Sequence, residues 1–94
     1  MHERALMQDL MREIEAVAHA DGASGVTRVA VRLGALSHFT PEHFREHFLD
    51  ASRGTLAEGA AVDATLAEDL DDPHAAGVVL ESVEVEVPDR EEDA

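Results

Sequence analysis

At 94 residues the chain suits one domain with a modest core, burying ~60 to 65% of the surface its extended form would expose, and is too short for a large enclosed active site. Hydrophobic content of 45% supports a packed fold, aromatic content of 3% leaves the core to Leu, Val, Ala, Met and three Phe, and the lack of cysteine excludes disulfides, thiolate zinc sites and a thiol nucleophile. A formal net charge of -14 with histidine neutral repels nucleic-acid phosphates and anionic lipid, and attracts cations without selecting among them.

From Met1 to Ala20, Leu6, Leu10, Ile14 and Val17 recur at helical spacing, joined by Met7, Met11 and Ala18, which predicts an amphipathic helix. It stops at "HADGASG", where Gly22 can take the left-handed cap conformation. "VTRVAVRL" alternates like a half-buried strand, with Thr27, Val29, Val31 and Leu33 on one side and Arg28, Ala30 and Arg32 on the other. After Gly34, "TPEHF" opens a second helix with Thr40 as N-cap, Pro41 in the first helical position and Glu42 at the positive dipole end. This helix is expected to reach about Arg53, with Phe44, Phe48 and Ala51 as its apolar face and Leu49 beside it. The loop "GTLAEG" leads to a second strand, "AAVDATLA", with Val62, Ala64 and Leu66 facing away from Asp63 and Thr65. "GVVLESVEVEV" forms the third, with Val83, Val85 and Val87 opposite Glu84 and Glu86.

Leu80 and Val83 are both apolar yet three apart, so a bulge near Glu81 or Ser82 is needed to bring both to the core side. Arg28 and Arg32 on the outer face of the first strand complement Glu84 and Glu86 on the third, which predicts that these strands are neighbours. The fold class is therefore α+β, a two-layer sandwich in α-β-α-β-β order, with a three-stranded mixed sheet covered on one face by two helices. Residues 1–88 form a single domain, and 89–94, "DREEDA", form an acidic tail expected to fray. "MHERALMQDL" lacks the pattern of a signal peptide and no apolar run approaches membrane-spanning length, so a cytoplasmic location is expected, with neither nucleic acid nor membrane as partner.

Signatures of catalysis are missing: there is no phosphate-cradling glycine loop, no G-x-S-x-G and no H-E-x-x-H. Histidine is the unusual feature, with six in the chain. His43 and His47, four apart on the second helix, can share a metal, although solvated histidines beside Glu42 and Glu46 would read the same. His19 and His74 sit beside turns, and His38 lies in the loop between first strand and second helix, where functional groups concentrate. His2 is the sharpest case. The Met1 amine, the deprotonated amide nitrogen of His2 and its imidazole can form fused chelate rings whose planar nitrogen set suits Ni(II) or Cu(II). Glu3 offers a further amide nitrogen or a carboxylate oxygen, while the same residues also fit a plain polar first turn.

"MHE", "VTRVAVRLGALS", "PEHFREHF", "ASRGTLAEGA" and "LESVEVEV" occur in an order that together resembles the HypA/HybF family of nickel metallochaperones, over nearly the whole chain. The resemblance implies a non-enzymatic accessory protein for [NiFe] hydrogenase maturation. It implies Ni(II) held by the Met1 amine, His2 and Glu3, and passed by ligand exchange to a HypB-type GTPase or a hydrogenase large-subunit precursor. Two departures stand out. Where the family inserts a zinc module with two CxxC pairs, this chain has only the short loop 68–77, "EDLDDPHAAG", so zinc is not expected. Where some members place an acidic residue near the nickel, this chain has Thr40, a poor ligand and a good helix cap; His38, two residues earlier, is the candidate fourth donor. The alternative is an interaction or regulatory module of a hydrogenase assembly that no longer delivers metal.

Overall fold

The computed structural model describes residues 2–88, with side chains from Glu3 onward. Met1, the His2 side chain and the acidic tail therefore lie outside the described residues. The elements run α1 (His2–Ala20), β1 (Gly25–Leu33), α2 (Pro41–Ala51), β2 (Ala61–Leu66) and β3 (Val78–Glu86). The sheet order is β2-β1-β3, with β1 parallel to β2 and antiparallel to β3. This follows from the connections: the helix between β1 and β2 is the crossover that a parallel pair requires, and β3 then returns along the other edge. Both helices lie on one face, α1 against β3 and α2 against β2, so the α+β sandwich has the form its sequence predicts.

The central strand supplies the floor of the core through Val26, Val29, Val31 and Leu33. Met7, Leu10, Met11, Ile14 and Ala18 of α1 and Phe44 and Phe48 of α2 close it from above. Val17 is exposed, because it sits roughly 80° from the middle of that stripe at helical pitch. Leu66, on the last rung of an edge strand, and Val87, just past β3, are also largely exposed. Phe39, in the loop before α2, is buried and meets Phe44 edge-on at 5.6 Å.

Local chemistry explains the boundaries. Gly22 adopts φ 67°, and the Ala23 N–H donates back to the Ala18 carbonyl at 2.9 Å, which ends α1. Thr40 is extended at φ -95°, ψ 160°, and its hydroxyl accepts from the His43 N–H at 3.1 Å, which starts α2. That helix ends at Ala51 with Ser52 as C-cap, short of the expected Arg53.

Two bulges set the faces of the sheet. The register steps from Ala30↔Ser82 to Val31↔Leu80 and leaves Glu81 unpaired, so Leu80 and Val83 both pack against the core, as their spacing requires. A second step, from Val26↔Val85 to Arg28↔Glu84, leaves Thr27 unpaired. Thr27 is therefore exposed and Val26 takes the inner place that simple alternation gives to Thr27. On the uncovered face Arg28 reaches Asp63 at 2.7 Å and Arg32 reaches Glu81 at 2.7 Å, tying β1 to both neighbours. Each exposed pair contributes only about 0.2–1 kcal/mol, enough to favour register but not to hold the fold.

The loop 67–77 docks on the end of β1. The Gly34 N–H donates to the Gly77 carbonyl at 2.9 Å and the Leu36 N–H to the Ala75 carbonyl at 2.7 Å, and Ala75 is buried.

Candidate metal centre

His43 and His47 lie one turn apart on α2, so their rings leave the helix on the same side. The Thr40 cap fixes the first turn that carries His43. Buried Phe39 stands beside both rings, with centroids 5.8 Å from His43 and 6.1 Å from His47. The imidazoles converge, with Nε2 of His43 and Nε2 of His47 2.8 Å apart.

The third member comes from the other helix. Glu3, in the first turn of α1, brings Oε1 to 3.6 Å from Nε2 of His47. One donor atom from each of Glu3, His43 and His47 lies within 4.8 Å of the others, and all three residues are half-buried. Glu3 and His47 border a solvent-open groove between the helices that also includes Met7, Met11 and Asp50. The histidines thus turn to Glu3 across the helix pair instead of to Glu42 and Glu46 along their own helix.

Of the four residues singled out for nickel, Glu3 alone joins this group; Met1 and the side chain of His2 lie outside the described residues. His38 is exposed and, among the described residues, is not part of the cluster. Its backbone has φ 67°, the left-handed region that non-glycine residues seldom occupy. It follows Ser37, whose hydroxyl accepts from the Phe39 N–H at 3.3 Å, so the bend at His38 turns Phe39 into the core. The spacing of His43 and His47 flags them in the sequence, but their convergence with Glu3 depends on how two distant segments pack.

The class of protein is given by a family model described as "Hydrogenase/urease nickel incorporation, metallochaperone, hypA", which matches residues 1–69. The chain belongs to the HypA family. Hydrogenase maturation factor HypA of Chlorobium limicola is 38% identical over 63 residues, 67% of this chain and 54% of that protein. The HypA proteins of Methylocella silvestris and Archaeoglobus fulgidus are 40% identical over 63 residues and 36% over 66, covering 56% and 60% of their own lengths. The chain thus spans a little over half the length of these relatives. The solution structure of the Ni metallochaperone HypA from Helicobacter pylori superposes with a TM-score of 0.74 at 16% identity, covering 92% of this chain and 98% of that one, a likeness of fold. Among the described residues no helix is long and apolar enough to cross a membrane.

Proposed function

We propose that this chain is a nickel carrier for [NiFe] hydrogenase maturation, working in the cytoplasm without catalysing a reaction of its own. Ni(II) is its cargo, taken up by the Met1 amine, His2 and Glu3, with His38 as a further donor. The ion leaves by ligand exchange to a HypB-type GTPase or to a hydrogenase large-subunit precursor. The observation that carries this reading is the match of a nickel-incorporation family over residues 1–69, which includes the whole Met1-His2-Glu3 terminus. Planar nitrogen donors suit Ni(II), and the strong negative charge draws cations toward a site that must then discriminate by ligand type.

Residues 1–88 act as one nickel-binding domain, with loop 68–77 standing where relatives of the family carry a zinc module. The complete absence of cysteine supports this, as does the docking of Ala75 and Gly77 onto Gly34 and Leu36, which ties the short loop to the end of β1.

The test is a Ni(II) titration of the authentic chain and of a copy with one residue added before Met1, followed by heat and visible absorption. Tight one-to-one binding with a four-coordinate spectrum, abolished by the extension, is the expected result. Equal nickel binding by both chains would overturn the terminal site, and absence of specific binding would favour the interaction module.

A further inference from the structure

We propose that Glu3, His43 and His47 form a second divalent-metal site, which shares Glu3 with the terminal chelate but needs neither the Met1 amine nor His2 to fill. The geometry of the donors carries this. A neutral imidazole nitrogen has one in-plane position, filled by one proton or one lone pair. Nε2 of His47 faces both Nε2 of His43 at 2.8 Å and Oε1 of Glu3 at 3.6 Å, and one proton cannot serve both contacts. A cation at the common centre serves all three.

The spacing fits such an ion. With metal–nitrogen and metal–oxygen bonds of roughly 2.0–2.2 Å, neighbouring ligands stand ~2.9 Å apart at right angles and ~3.3 Å apart in a tetrahedron. The observed 2.8 and 3.6 Å bracket those values, and the remaining edge, within 4.8 Å, closes by rotation of the Glu3 carboxylate. Two imidazoles and one carboxylate form an N2O set for a first-row transition ion; Mg(II) and Ca(II) call for oxygen, and Cu(I) for sulfur. The three ligands are half-buried, with Glu3 and His47 beside a solvent-open groove, and leave at least one coordination position open to water or to a ligand of a partner. Phe39 stands beside both rings.

Zn(II) is the suitable probe, because it takes nitrogen and carboxylate ligands without needing the deprotonated amide of the terminal chelate. It is titrated in competition with a chromogenic chelator into the full chain, the chain extended before Met1, and the double variant H43Q/H47Q. The full and extended chains are expected to bind one equivalent alike. The double variant should bind more than roughly 100-fold more weakly, since even outer-shell partners are typically worth ~10–100-fold. Retention of affinity in H43Q/H47Q, loss of it in the extended chain, or absence of binding by the full chain overturns the proposal. Should the double variant fail to fold, imidazole nitrogen resonances of the full chain decide: Zn(II) must move Nε2 of both His43 and His47, and unmoved signals refute the site. Nickel binding indifferent to the extension would sink the terminal nickel reading and leave this site standing.

Discussion

Gly34→Ala tests how firmly the loop 67–77 is built into the fold. A Cβ at Gly34 would overlap the Ala75 carbonyl and stand 2.6 Å from the His74 carbonyl oxygen, where ordinary contacts need roughly 3.5–4.0 Å. The neighbour is backbone, so no side chain can swing aside, and a shift of about 1 Å would have to pass into the Gly34–Gly77 and Leu36–Ala75 hydrogen bonds. Overpacking costs about 1–3 kcal/mol and two weakened backbone bonds about 1 kcal/mol each, while the stiffer unfolded chain returns up to ~1 kcal/mol. The net loss is about 3 kcal/mol, which for a chain of this size lowers Tm by about 12–24 °C. Thermal unfolding followed by circular dichroism measures it. Gly54→Ala is the control: Gly54 has φ 78° and open space around it, so that variant meets only the left-handed backbone cost of ~1–2 kcal/mol. A Gly34→Ala loss below ~0.5 kcal/mol would refute the docking of the loop.

Two further substitutions separate structure from metal chemistry in the segment leading to α2. His38→Gly should raise stability by about 1 kcal/mol in urea unfolding, because glycine relieves the positive φ; if His38 is a nickel donor, His38→Gly and His38→Ala must both weaken Ni(II) binding, whereas a purely conformational role would leave the alanine form, which keeps the same Cβ at that position, binding like wild type. Thr40→Ala should cost about 1 kcal/mol, a fall in Tm of ~4–8 °C, with Thr40→Ser near wild type; an unchanged Tm would mean that the hydroxyl does not cap α2.

Much of this fold is legible in the chain. The Thr40-Pro41 start of α2, the Gly22 stop of α1 and the pairing of β1 with β3 follow from local rules, and so does the bulge at Glu81, because Leu80 and Val83 break the period. The bulge at Thr27 is silent, since threonine continues an alternating β pattern as acceptably as valine does. Val17 is misplaced for a related reason: spacing selects a stripe, but its edges depend on how far the sheet extends beneath α1. The candidate site divides the same way. Helical spacing pairs His43 with His47, while Glu3 joins them only because α1 and α2 share one face of the sheet with their first turns side by side.

That shared position makes Glu3 decisive for any cation held there. Glu3 occupies the first turn of α1, and His43 the first turn of α2, so two positive helix ends converge on the donors. Each end disfavours a nearby cation by about 0.3–1 kcal/mol, together no more than about 2 kcal/mol. Even with its charge placed as far as about 4 Å from a divalent ion, a carboxylate attracts it by on the order of 8 kcal/mol before desolvation at an effective dielectric of 20, so one ionised side chain outweighs both dipoles. Neutral imidazoles alone supply lone pairs but no charge to offset the helix ends. The same carboxylate follows directly after His2, so an ion held by the terminal amine and an ion held by α2 would draw on one oxygen donor, and occupancy of either site must bear on the other through Glu3.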